Sequence, residues 1–523
     1  MRAQWLEEDS SNSDPEGPVR RGAWLYGPRT HADGASTIQV ANEASSAEPT
    51  GSTSDDSLLE PEPDATPAWA MPLGIAGGLA LFSLLVSSLA TGDTELLAGV
   101  GMASVLAICS AFVFKRIAKF DQIASVSTVL FAGLSLKLLG TLARFYVGQG
   151  VYERSDATEY DAVARQWATN YLHYGQLPKV NQWTSTNLVK LILAELYSYV
   201  TPSMIGGYIV FSWLSFWGAV LAWRGFKRVY PSASKRYGVF ILFAPSMMYW
   251  PSGIGKEAIA IFGLGLAIYG TCLIISGSAW LGTATAVGGG IIATYIRPHI
   301  GLVVMLGMAA GLILRKRPKG QKIGTLFSII VFALAGSFVV GQVDEYFGTN
   351  VQTGTGVVEQ GEEAEHRTTQ GGSEFEATPV FASPANFPQA FMTVMFRPYP
   401  WEATSLQELL TAIESFTFAA LLIMGIRRIF GNIRRDRALM IFAIVTMLIF
   451  VALFSNFANF GILARQRTQL LPFMFLLLCI PERPRPESYK LIMERMHEER
   501  AATGHELGGP VLVDDYRPHF RRR

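Results

Sequence analysis

The sequence predicts an all-α protein: a polytopic bundle of about twelve transmembrane helices, with external interfacial helices and broken half-helices. Three observations predict it. Of 523 residues, 50% are apolar and only 16% are charged, against about 25% charged in a typical soluble chain. The apolar residues gather in long runs, many near the roughly 20 residues that cross the hydrocarbon layer. The charge is also segregated. Residues 1–66 hold 13 Asp/Glu against 4 Lys/Arg, a net of −9, while the rest of the chain is net +10. These features exclude a soluble enzyme, a nucleic-acid binder with a basic face and a small disulfide scaffold. Cys109, Cys272 and Cys479 lie inside apolar runs without CxxC spacing or a neighbouring His, so they read as small buried hydrophobes.

Taken in order, residues 1–66 are rich in Ser, Asp, Glu, Pro and Gly, lack the layout of a secretion signal, and read as a disordered acidic tail. The domain 67–481 follows, with candidate spans at roughly 72–90, 95–114 and 122–143. An external segment, 144–203, comes next. Within it, residues from Asp156 onward place Tyr160, Val163, Ala164 and Trp167 on one helical face, as an amphipathic helix on the membrane surface does. Leu188–Val200 reads as a second interfacial helix. Further spans fall at roughly 204–224, 237–251, 254–277, 279–296, 300–314 and 322–341. A long external loop, 342–406, is Gly/Thr/Glu-rich from Gly348 to Thr378. The last spans are roughly 407–427, 438–455 and 467–480, before a C-terminal tail, 482–523. Three spans are short for a straight crossing: 237–251, 300–314 and 467–480. Interrupted helices are tolerated only where protein or a water-filled cavity covers the freed backbone.

Basic clusters set the expected orientation. They occur at Lys115–Lys119, Arg224–Arg236, Arg315–Lys322 and Arg427–Arg437. Placing all four inside fits one alternating path of twelve spans with both termini cytoplasmic. No internal repeat is visible, which argues mildly against a transporter built from paired halves.

That path sends a set of ionisable residues to one outer face. Asp156 has two readings: an N-cap of the surface helix, or a carboxylate able to take a proton from an acceptor hydroxyl. Asp161 and Glu159 are alternative bases on the same helix. Lys256 and Glu257 open a span just after the interrupted stretch Pro245–Gly255. They read either as a snorkelling pair or as part of an anion site at a helix start. Arg297 and His299 flank a bare turn between two apolar runs. Arg397 and Glu402 precede the tenth span, and Arg465 and Arg467 open the last. Each arginine alone reads as an interface anchor; together they suit phosphate, because guanidinium forks bind it in pairs of hydrogen bonds.

The Asp156-x-x-x-Tyr160 segment, with the following Gly175-Gln176-Leu177-Pro178, resembles the first external loop of GT-C membrane glycosyltransferases. Two or three spans precede it here, where that family usually has one. The stretches from Ala244-Pro245-Ser246 to Gly253 and Lys256, Phe396–Ala403, and Arg465-Gln466-Arg467 with Pro472-Phe473 resemble bacterial membrane proteins of cell-surface polysaccharide synthesis. The resemblance implies a transferase using a polyprenyl-linked sugar donor and a glycan or protein acceptor, among membrane lipids and without nucleic acid. It implies an essential acid in the Asp156 loop, with the external arginines and Lys256 on the donor phosphate. No metal-ligand spacing is present, although a divalent metal is compatible with this chemistry. The arginine-bearing loops also resemble O-antigen-type polymerases, in which Asp156 carries no strict role. A lipid-linked-glycan transporter is the non-enzymatic alternative. It needs polar groups reaching the inner face, and beyond Glu414, with Lys190 and Glu195 in an external half-helix, the sequence offers few.

Overall fold

The computed structural model describes residues 66–151, 155–176, 178–180, 184–315, 322–347, 374–433 and 437–481. The expected acidic tail (save residue 66), the Gly/Thr/Glu-rich part of the long loop up to residue 373, and the C-terminal tail lie outside these residues. The described chain is helical, and its single β-bridge joins Glu374 to Asn459.

Among the described residues, nine helices are long and apolar enough to cross a membrane. They include α1 (Ala70–Thr91), α2 (Thr94–Asp121), α3 (Ser125–Tyr146, continued by a π-helical turn at Val147–Val151), α6 (Met204–Val229), α9 (Lys256–Ile275) and α10 (Ala279–Ile296). The others lie in α12 (Lys322–Phe347), α14 (Leu406–Asn432) and α15 (Arg437–Phe454). The three stretches expected to be short are built differently. Residues 237–251 form α7 (Ser234–Phe243) and α8 (Pro245–Tyr249), 300–314 form α11 (Pro298–Ile313), and 467–480 form the end of α16 (Phe460–Arg467) and α17 (Leu471–Cys479). The two stretches expected to be surface helices form α4 (Asp156–Tyr174) and α5 (Ser185–Tyr199), and α13 (Phe387–Phe396) precedes the tenth expected span.

Apolar side chains pointing outward mark the lipid-facing helices. In α1, Leu79, Phe82 and Leu89 are mostly exposed, as are Ile423, Met424 and Phe430 in α14. A soluble protein would bury such a row. At the centre stands α9, packed between α6 and α10. Glycines make that approach close: a Cβ at Gly265 would lie 2.0 Å from the Gly218 carbonyl oxygen, and one at Gly289 2.4 Å from that of Gly263. With no hydrophobic drive between helices in lipid, small residues at contacts are what let backbones gain van der Waals contact.

The interrupted stretch after α7 obeys the same accounting of backbone groups. Its first N–H at Ser246 donates to Glu414 at 3.0 Å, and the Ser246 hydroxyl donates to the same carboxylate. Lys137 donates to the Met247 carbonyl at 2.8 Å, Ser252 to that of Met248, and Ser215 to that of Pro251 at 2.7 Å. Side chains from α3, α6 and α14 thus replace the ladder bonds that the break removes. Glu414 and Lys137, polar groups inside spans, are used in this way.

Ionic residues divide between the two ends. At one end Arg224 and Lys227 of α6 meet Asp121 of α2, with Lys227 at 2.8 Å. At the start of α2, Glu95 meets Arg165 of α4 at 2.7 Å. A helix the length of α9 spans about 30 Å, one hydrocarbon thickness. The start of α9 lies at the Glu95 end, with α4: Arg165 of α4 meets Glu95, and Asp156 of α4 is linked through Arg465 to Glu257.

Candidate functional site

The π-helical turn after α3, the first turns of α4 and α9, and the interrupted stretch before α9 enclose a cavity of about 240 Å³. Arg144, Asp156, Tyr160, Tyr208, Glu257 and Arg465 are among its lining residues. Local sequence explains each position. Asp156 is the first residue of α4, whose far end is closed by Gly175 in the left-handed conformation (φ 62°), with its N–H on the Tyr171 carbonyl. Ser155, rather than Asp156, occupies the cap position. Gly255 ends the interrupted stretch so that Lys256 and Glu257 begin α9. Asn459 caps α16 by accepting from the Ile462 N–H at 3.1 Å, and that short helix delivers Arg465.

The central feature is a chain of four ionic groups. Arg297, buried in the turn before α11, donates to Glu257. Arg465 donates to the same carboxylate oxygen through Nε at 2.6 Å. Its other two nitrogens reach Asp156 Oδ2, each at 3.2 Å. Residues 309 positions apart thereby meet at one cavity. Asp156 is the open end of the chain, with a side chain 58% exposed against 3% for Glu257. Beside it, burial and the negative charge of Asp156 push the Tyr160 phenol up to about 12, so it stays a neutral hydroxyl.

The other predicted residues lie around or away from this chain. Lys256 donates to the Ser185 hydroxyl at 3.3 Å. His299 packs against the Phe454 ring, 5.7 Å between centroids. Glu159 is exposed and pairs with Lys190 at 2.7 Å. Asp161 is not among the cavity's lining residues and has partners of its own: Tyr197 donates to it, as does Arg165 at 2.8 Å. Burial and that bond to Asp161 push the Tyr197 phenol well up. Asp161 therefore fastens α4 to α5, and Arg165 carries the link on to Glu95 of α2.

Arg397 and Arg467 form a second cluster. Arg397 lies over the Phe375 and Phe460 rings and is bonded to Glu402 at 2.5 and 3.0 Å. Glu402 also accepts from the Tyr399 N–H at 2.8 Å. Arg467 is buried and donates to the carbonyls of Met395 and Arg397, both at 2.9 Å. These two arginines tie α13 and its following turn to α16. The structure thus brings Arg297 and Arg465 together at Glu257, and gives Arg397 and Arg467 other partners.

Sequence reasoning passed over Arg144. It immediately follows the expected span 122–143, where a boundary arginine has an ordinary anchoring role. The signal that finds it is spatial: its guanidinium lies 5.5 Å from the Tyr249 ring and 5.3 Å from the Trp250 ring, both in the interrupted stretch. Tyr208 was also missed; it lines the cavity from inside α6.

Comparison with protein-family models, with characterised proteins and with solved structures gives no match. Among the described residues, no group of three or more His, Cys, Asp and Glu is placed to hold a metal ion.

Proposed function

We propose that this protein is an integral membrane glycosyltransferase that moves a sugar from a polyprenyl-phosphate-linked donor to an acceptor hydroxyl, on the outer face of a prokaryotic plasma membrane. Its acceptor would be a glycan or protein of the cell surface. The observation that carries the reading is the meeting of Asp156 with Arg465 at a cavity beside the surface helices. A base for a hydroxyl and a cation for a leaving phosphate are there within one hydrogen bond of each other.

The chemistry follows from these positions. Arg465 engages Oδ2 of Asp156, and Oδ1 is the acceptor oxygen for the incoming hydroxyl. As the hydroxyl oxygen attacks the anomeric carbon, its proton passes to Asp156. The bond from that carbon to the phosphate oxygen breaks, and its electron pair stays on the phosphate. Negative charge grows there, and fixed guanidinium donors stabilise it more than they stabilise the bound donor. Glu257, held by Arg297, keeps Arg465 in place for that task.

The test is transfer by purified protein from a mixture of polyprenyl-linked sugars. Removing a general base costs typically ~10²–10⁴-fold in rate, so Asp156→Asn should largely abolish transfer while the protein stays folded. Asp161→Asn should act instead on stability, because its carboxylate faces Tyr197 and Arg165. Full transfer by Asp156→Asn with loss in Arg465→Ala would favour an arginine-dependent polymerase. No transfer by wild type with any donor would remove the enzyme reading.

A further inference from the structure

Among the described residues, the charges around the cavity do not cancel. Arg297, Glu257, Arg465 and Asp156 are two cations and two anions joined in a chain, and are neutral as a set. Two cations remain. Lys256 has the Ser185 hydroxyl, which carries no charge. Arg144 has the Tyr249 and Trp250 rings and, among the described residues, forms no hydrogen bond or ion pair; the Glu257 charge acts on it, but that carboxylate is bonded to Arg297 and Arg465. Arg144 lines the cavity, and Lys256 lies between the lining residues Gly255 and Glu257.

Cations beside a hydrocarbon layer that must share counter-charges already bonded elsewhere are costly to keep. A ligand bringing two negative charges would neutralise this pair. The planar guanidinium suits two oxygens of one phosphate, and the rings beneath it restrict its plane. The close packing supports the same placement: a Cβ at Gly253 would lie 2.8 Å from the Tyr208 ring and 3.3 Å from Arg144 Nε.

We infer that the cavity binds the head group of a lipid diphosphate diester, with Arg144 as its principal ligand and Lys256 as the second counter-charge. A sugar–phosphate–lipid carries one negative charge and leaves one cation unmatched, whereas a sugar–diphosphate–lipid carries two. This inference rests on the proposed transferase reading for the lipid and the sugar, but the charge match stands on the cavity alone.

The experiment measures binding to the full chain in nanodiscs of zwitterionic lipid. The probes are an isoprenyl methyl diphosphate diester, the corresponding isoprenyl methyl phosphate diester and inorganic pyrophosphate. A charge-assisted bond contributes on the order of tenfold or more in affinity, so wild type should prefer the diphosphate lipid by at least ~10-fold. That preference should weaken with salt. Arg144→Lys keeps the charge but loses the fork, and should lose most of the preference; Lys256→Gln should lose part of it.

Equal affinity of wild type for the two lipids would overturn the inference, and this comparison needs no variant to fold. Tight binding of pyrophosphate without binding of the diphosphate lipid would overturn the lipid source. The transfer assay separates the two claims. Diphosphate preference without any transfer would sink the transferase and leave the site, while transfer from a monophosphate donor without diphosphate preference would do the reverse.

Discussion

Gly140 lies in α3, one turn before Arg144, and faces the interrupted stretch. A Cβ at this position would stand 2.3 Å from the Met248 carbonyl oxygen and 3.1 Å from its carbon. Contacts under 3.0 Å are essentially never seen for real Cβ atoms, so Gly140→Ala demands a separation of at least 0.7 Å (3.0 − 2.3). The obstacle is backbone, which cannot turn aside as a long side chain can. Overpacking of this kind costs roughly 1–3 kcal/mol. Against it stands the helix propensity of Ala over Gly, up to about 1 kcal/mol. The net should be a loss of up to about 2 kcal/mol, opposite in sign to the propensity effect alone. Because Arg144 shares this helical face one turn on, the shift should also carry its guanidinium away from Tyr249 and Trp250. Gly101 and Gly288 are the controls, since a Cβ at either meets nothing within 4 Å. Thermal unfolding in one detergent, followed by intrinsic fluorescence, should show Gly140→Ala below wild type. Gly101→Ala and Gly288→Ala should lie at or above it. A Gly140→Ala protein as stable as these controls would refute the close-contact argument and the coupling to Arg144.

Two other outcomes follow from the ionic groups. Burial alone would raise the Glu402 carboxyl, but the bonds from Arg397 and the Tyr399 N–H outweigh it and hold the group below the ordinary carboxylate value. The stabilisation is therefore present above the unfolded carboxylate value and is lost as pH falls through the lower folded one. Glu402→Gln should lower stability at neutral pH by no more than about 1 kcal/mol, since the pair is partly exposed. That gap should close below about pH 4; a gap that persisted in acid would show that the charge is not its source. Orientation is checked by single cysteines in a cysteine-free background. Exposed positions His173 and Ser232 should label from opposite sides with an impermeant thiol reagent, His173 from outside. Labelling of both from one side would move the cavity off the outer face.

Much of the architecture was legible because the bilayer imposes a length on apolar runs. The long spans needed only hydropathy, and they match helices such as α9 and α15 to within a few residues. The three short stretches were legible as irregular from Pro and Gly. What filled them was not, because the partners come from afar: Glu414 serves Ser246 across 168 positions and Lys137 serves Met247 across 110. A lysine and a glutamate inside spans look like transport residues until the backbone they satisfy is known. The path through the basic clusters counted twelve crossings. The structure supplies nine long apolar helices among its described residues, and residues 237–251, 300–314 and 467–480 form shorter helices.

The candidate site was legible as an inventory and not as an assignment. Arginine, lysine and carboxylate were each visible near a span end, but a span end does not say whether a guanidinium faces a ligand, a carboxylate or a carbonyl. Arg467 looks in sequence like a twin of Arg465, two positions away. On α16 that spacing turns it about 200° around the helix axis, toward the carbonyls of Met395 and Arg397, while Arg465 turns toward Asp156 and Glu257. One residue of the pair closes a turn and the other builds the ionic chain. Arg144 has nothing in the sequence to distinguish it from an anchor; its interest comes from the fold, which sets it against the Tyr249 and Trp250 rings while Glu257 is bonded to Arg297 and Arg465. Which carboxylate a guanidinium shares, and with which competitors, only the folded arrangement records.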